Sequence, residues 1–129
     1  MNHGTNVLST PLTPSDAERF ATRWYSAWNA RDIDAIMACY HDSIEHSSPF
    51  IKRYNGTDEL SLKGKPAVRD YFARALERNP TLQFHPMHIT TGLTSVLLVY
   101  RRMTGDLAGE VFFLDAATGL IVRSVSHYG

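Results

Sequence analysis

The last third of the chain constrains the fold most. Between Leu82 and Tyr128 it offers four strand-like segments, roughly Leu82–Thr91, Thr94–Met103, Leu107–Asp115 and Leu120–Tyr128. Only short turn signals separate them: Gly92, Thr104-Gly105-Asp106 and Thr118-Gly119. Connections that short imply antiparallel neighbours. The third segment carries one carboxylate, Glu110, in alternation with Phe112 and Leu114, so an acid falls on an apolar face. In the first, apolar parity changes after Pro86, from Leu82 and Phe84 to Met87 and Ile89. A bulge at His85-Pro86 accounts for that change, and it leaves the faces of His85 and His88 open.

The first two thirds read differently. Ser15 followed by Glu18 is a capping-box pattern and predicts a helix start there. Ala17, Phe20, Ala21, Trp24, Ala27 and Trp28 then form one apolar stripe. Asn29-Ala30-Arg31 ends the helix, and Asp32 caps a second, with Ile33, Ile36, Met37 and Tyr40 as its buried positions. Ser43–Ser48 predicts a short strand with Ile44, His46 and Ser48 on one face, stopped by Pro49. Residues 50–63 are expected to form a long loop, a candidate lid. Pro66 sits in the first turn of a third helix marked by Val68, Tyr71, Phe72, Ala75 and Leu76, and Asn79-Pro80 stops it.

Three helices in the N-terminal half followed by a curved antiparallel sheet make an α+β domain. Rolled around the helices, the sheet takes a cone shape with an open-ended cavity. Residues 1–14 are expected as a flexible tail and 15–129 as a single domain, which suits a chain of 129 residues.

Charge and composition exclude several function classes. Thirteen basic and thirteen acidic residues cancel, so nothing electrostatic favours nucleic acid or an anionic membrane as partner. No apolar run is long enough to cross a bilayer and no signal pattern opens the chain, so a cytoplasmic location is expected. The single cysteine, Cys39, excludes an internal disulfide and reads as inert core. Six histidines include no HExxH pattern, and His85 and His88 fall on opposite faces of a regular strand, so no metal is expected. The glycines occur singly, so no nucleotide cofactor is expected either. Ser47 and Ser48 lie beside His46 but lack a third group to make a nucleophile.

What remains is acid/base chemistry. A histidine titrates near neutral pH and can take and return a proton. Glu110, set among Val111, Phe112, Phe113 and Leu114, has its ionised form disfavoured if buried. Protonated, it can stabilise an enolate oxygen as that oxygen gains charge. Ionised, it can orient His46. The bland alternatives are that the two groups satisfy each other, or that Glu110 pairs with Arg101, Arg102 or Arg123. Trp24, Trp28, Tyr40, Phe72 and Phe112 are candidate cavity-lining residues, as are Ser126 and Tyr128 on the last strand.

The order and spacing of four motifs resemble the SnoaL-like and ketosteroid-isomerase-like branch of the nuclear transport factor 2-like superfamily. They are Asn29–Ile36, Ile44-Glu45-His46, Gly64–Phe72, and Glu110–Asp115 followed by Gly119–Tyr128. The resemblance runs from Ser15 to the C-terminus and makes 15–129 a SnoaL-like domain. It implies that His46 stands where the isomerases place a carboxylate base. Glu110 stands where they place a protonated acid, and Trp24 where they place a donor tyrosine. The chain departs from the isomerases at all three positions, which argues against steroid isomerisation and leaves cyclase chemistry open.

The resulting expectation is a cofactor-free acid/base enzyme of isomerase, cyclase or hydratase type. Its substrate is a small apolar carbonyl compound, with His46 and Glu110 as its catalytic residues. The rivals are a non-catalytic small-ligand-binding protein and a dimerisation module. The resemblance also implies a homodimer through the outer face of the sheet. The sequence itself shows only that strands 94–103 and 120–128 carry apolar residues on both faces.

Overall fold

The computed structural model describes residues 7–129; of the expected tail, residues 1–6 lie outside the described residues. Leu12 is buried, and the Leu8 N–H donates to the Ala116 carbonyl at 2.8 Å.

Helix α1 spans Pro14–Asn29 and starts two residues earlier than a cap at Ser15 predicts. Thr13 is its cap: the Asp16 N–H donates to Thr13 Oγ1 at 3.1 Å, and the Thr13 N–H donates to Asp16 Oδ2 at 3.2 Å. Pro14, which has no N–H to satisfy, fits the first helical position and shifts the box upstream. Helix α2 is only Ile33–Met37, capped by Asp32 as expected. Tyr40, expected on that helix, instead opens strand β1, Tyr40–Ser47.

The expected loop of residues 50–63 is largely ordered structure. Phe50–Asn55 forms a short helix, α3, ended by Gly56 at φ 67°. Ser61–Lys63 forms edge strand β2, paired antiparallel with β1. Helix α4, Lys65–Arg78, follows. The Arg31 guanidinium donates to the Asn79 carbonyl at 2.7 Å and to the Leu76 carbonyl at 2.5 Å, satisfying groups at the end of α4 that have no helical partner.

The four C-terminal strands are β3 Phe84–Thr91, β4 Ser95–Arg102, β5 Leu107–Leu114 and β6 Ile121–Tyr128. They pair antiparallel in sequence order, and the register of β3 against β4 slips between Pro86 and His88, the expected bulge. His85 and His88 are both exposed. The full sheet order is β2-β1-β6-β5-β4-β3. One pairing departs from an all-antiparallel sheet: β1 lies parallel to β6, with His46 opposite Ser124. That pairing closes the chain's first strand onto its last and puts His46 in the same sheet as Glu110.

The helices fill the concave side. Asn29, at the end of α1, holds the start of β3 by two bonds: its Nδ2 donates to the Phe84 carbonyl at 2.9 Å, and the Phe84 N–H donates to its Oδ1 at 2.8 Å. The inward residues of β4 and β5, Val96, Leu98, Tyr100, Ala108, Phe112 and Leu114, are buried against α1 and its neighbours. Glu110 belongs to that inward row.

Candidate functional site

A cavity of about 90 Å³ opens between the sheet and helices α1, α3 and α4. Six of the nine residues singled out from the sequence line it: His46, Glu110, Trp28, Phe72, Ser126 and Tyr128. Trp24, Tyr40 and Phe112 do not. They form the layer behind its wall, where Trp24 Nε1 donates to the Tyr40 hydroxyl at 3.1 Å and Trp24 packs edge-on against Phe112 at 5.0 Å. The Trp24 indole N–H, at the position where the resemblance implies a donor tyrosine, is therefore consumed inside the core. Trp28 differs: its Nε1 is buried and has no hydrogen-bond partner.

His46 is 2% exposed and Glu110 is 5% exposed. They do not satisfy each other. His46 Nδ1 is hydrogen-bonded to Ser124 Oγ at 2.7 Å, directly across the β1–β6 pair. Its ring packs against Phe72 at 5.1 Å and Tyr71 at 5.8 Å. Glu110 Oε1 accepts a bond from the Ser126 hydroxyl, across the β5–β6 pair. Strand β6 thus stands between the two groups and presents one serine to each. No arginine pairs with Glu110 among the described residues: Arg101 donates to the Gly105 carbonyl, Arg102 pairs with Asp106, and Arg123 lies over the Phe113 ring.

Burial dominates the electrostatics. It lowers the His46 pKa to about 4, because no neighbouring charge compensates for losing water. It raises the Glu110 pKa to about 7, and the Ser126 bond offsets only part of that rise. At about pH 6 the imidazole is thus neutral and the carboxyl largely holds its proton; near pH 7 the carboxyl is half ionised. Five phenols feel the Glu110 charge: Tyr25, Tyr40, Tyr71, Tyr100 and Tyr128 are each pushed up, by burial first and by the carboxylate in addition.

The sequence missed several residues of the site, both cavity-lining ones and Ser124, which holds His46 from behind the lining. Tyr100 lies two positions beyond Leu98, the residue opposite Glu110, so the alternation of β4 carries the signal for it. Ser124 shares parity with Ser126, which marks it as inward once the last strand is seen as regular there. Phe50 and Tyr54 carry no such signal, because they reach the cavity from α3, inside the segment expected as a loop. Among the described residues there is no cluster of His, Cys, Asp or Glu fit to hold a metal ion, and no helix long and apolar enough to cross a membrane.

The fold has close relatives. A SnoaL-like protein of unknown function from Burkholderia thailandensis E264 is 37% identical, with a TM-score of 0.83 over 92% of this chain and 99% of that one. A candidate isomerase of the SnoaL-like family from Agrobacterium tumefaciens C58 is 14% identical, with a TM-score of 0.71 over 89% and 98%. A candidate polyketide cyclase from Sinorhizobium meliloti is 12% identical, with a TM-score of 0.71 over 90% and 100%. Likeness at the last two levels of identity shows the fold alone. No curated protein matches the chain. The SnoaL-like domain model matches residues 21–127, which takes in the second half of α1, the parallel strand that carries His46 and the Glu110 hairpin. With that match and the 37% identical relative, the chain belongs to the SnoaL-like family.

Proposed function

We propose that the protein is a cofactor-free acid/base enzyme acting on a small, mostly apolar carbonyl compound. One observation carries this reading: a buried imidazole and a buried carboxyl, neither facing a counter-charge, line one aromatic cavity without bonding each other. Here each is held by its own serine, which leaves the second edge of each side chain for a third molecule.

With Nδ1 donating its hydrogen to Ser124 Oγ, His46 Nε2 carries a bare lone pair. It takes a proton from the carbon next to the substrate carbonyl. The C–H electron pair moves into a new C=C bond, and the carbonyl π pair moves onto oxygen. The Glu110 O–H hydrogen-bonds to that oxygen and stabilises it as charge develops. Returning the proton from Nε2 to a different carbon completes an isomerisation; closing a C–C bond from the enolate is the cyclase variant, and adding water to a conjugated carbonyl is the hydratase variant. The relatives described as candidate isomerase and candidate polyketide cyclase lend these variants support by analogy of fold. A cavity of about 90 Å³ favours a compact substrate over a steroid, since drug-sized sites begin near ~300 Å³.

The rival of a binder without turnover shares this cavity. The rival of a dimerisation module with a filled cavity loses ground to the open one. A homodimer remains part of the proposal. Leu97, Val99, Val111 and Val125 are only half-buried on the face away from the helices, and Phe113 is 36% exposed. Sedimentation equilibrium reads the dimer directly.

The test is turnover of the unconjugated isomer of cyclohexenone, followed by the absorbance of the conjugated product. His46→Ala should abolish enzymatic conversion, and Glu110→Gln should lower kcat about a hundredfold or more. Wild-type conversion that survives in both variants removes the mechanism. Saturable ketone binding without conversion favours the binder.

A further inference from the structure

The cavity has one strongly basic residue in its lining, and the acid/base chemistry leaves that residue unused. Among the described residues Arg102 is the only lysine or arginine there. It closes β4, on the same inward row as Leu98 and Tyr100. Leu98 is the partner of Glu110, so Arg102 sits four residues further along the strand, about 13 Å away at the backbone. Its side chain is 24% exposed, which places the guanidinium where the cavity meets water.

Arg102 is held in a defined position. Its guanidinium carbon lies 5.0 Å from the centre of the Tyr128 ring and 5.6 Å from that of Phe50, and those two rings stack at 4.2 Å. A guanidinium resting on aromatic rings keeps its in-plane N–H groups for other partners. Asp106 engages one of its nitrogens, at 3.3 Å, from an exposed turn, and Asp106 is itself bonded by the Thr104 hydroxyl. That pair uses one nitrogen of the fork, and the remaining N–H groups are open to a second anion. Both rings that support Arg102, Phe50 and Tyr128, also line the cavity.

We propose that the substrate carries a carboxylate at one end of its flat apolar body, and that Arg102 binds this group at the cavity mouth. The inference rests on the cavity being the substrate site. The carbonyl end then faces His46 and Glu110, and the carboxylate stays at the solvent boundary, where it is not stripped of all its water. One guanidinium matches one carboxylate. A phosphate monoester would find no second cation and no glycine-rich cradle here. Fixing the far end of the substrate also sets which of its carbons meets His46, so Arg102 determines specificity without touching the reacting atoms.

Calorimetric titration of the intact protein with benzoate and with benzamide, a neutral probe of nearly the same shape, tests this. At about pH 6, below the Glu110 midpoint, wild type should bind benzoate about tenfold tighter or more. Arg102→Gln should remove that preference while still binding benzamide, which doubles as the folding control. His46→Ala should keep the preference. Equal affinities in wild type, an undiminished preference in Arg102→Gln, or binding of neither probe overturns the proposal. If the preference fails while cyclohexenone turnover still depends on His46, the anion site falls and the acid/base chemistry stands. The opposite pair of results keeps the anion site and removes the chemistry.

Discussion

His46 and Glu110 face one cavity from β1 and β5, and β6 between them supplies Ser124 to the first and Ser126 to the second. The two ionisable groups are thereby buried without a counter-charge, and burial moves them in opposite directions. His46 loses its proton more easily and Glu110 holds its proton longer, which is the reverse of the order in water.

This crossing predicts a specific dependence of stability on pH. For His46 the folded pKa, about 4, lies below the unfolded value of 6.5, so the unfolded chain binds more protons between them and stability rises with pH. For Glu110 the folded pKa, about 7, lies above 4.5, so the folded chain binds more protons and stability falls as pH rises. Each displacement is worth on the order of 3 kcal/mol and the windows overlap, so the two largely cancel in wild type. Denaturant melts should show Glu110→Gln gaining stability from about pH 4 to 6.5, and His46→Gln losing it from about pH 4.5 to 7. Parallel slopes in the two variants would contradict the assignment.

Catalysis should follow the same two ionisations. With a neutral base and a protonated acid both required, kcat/KM should rise through about pH 4, plateau, and fall above about pH 7. Glu110→Gln, which cannot ionise, should lose the alkaline fall along with most of the rate. A profile that climbs through pH 7 would place the essential carboxyl in its ionised form.

The two tryptophans of α1 should respond differently to the same change. Trp24→Phe strands the Tyr40 hydroxyl in the core and should cost roughly 1–3 kcal/mol beyond the lost area, with ligand affinity little altered. Trp28→Phe removes an indole N–H that has no partner, so it should destabilise less. Because Trp28 lines the cavity, that variant should change ligand affinity more than Trp24→Phe does. Thermal melts and ligand titration on the pair separate wall from core.

The first helix offers a control on its boundary. Thr13→Ala should cost about 1 kcal/mol, because it breaks the reciprocal pair with Asp16. Ser15→Ala leaves that pair intact, and Ser15 bonds only the exposed Arg19 side chain, so its effect should be a few tenths of a kcal/mol at most. Equal losses would return the cap to Ser15.

Much of this was legible from the sequence, and what was not had local causes. The meander from β3 to β6, its bulge near Pro86 and the inward row of Glu110 followed from period-two alternation between short turns. The burial of His46 followed from the same rule. Tyr40 misled because its spacing from Met37 and Ile36 satisfies a helix as well as it opens a strand. Phe50–Asn55 misled because a helix of 6 residues, under two turns, is too short to show a period. Trp24 misled because its position matches a site residue of related enzymes, whereas its N–H had a core partner that only the packing of α1 on β1 reveals. The parallel pairing of β1 with β6, which brings His46 and Ser124 together, joins segments far apart in the chain and leaves no local mark.

Titration of the two groups by NMR tests the central claim most directly, with labelled imidazole nitrogens for His46 and labelled side-chain carboxyl carbons for Glu110. The account predicts that His46 is neutral, with its hydrogen on Nδ1, from about pH 5 upward, and that Glu110 passes its midpoint near pH 7. A His46 that is charged at about pH 6, or a Glu110 fully ionised by about pH 5, would contradict it.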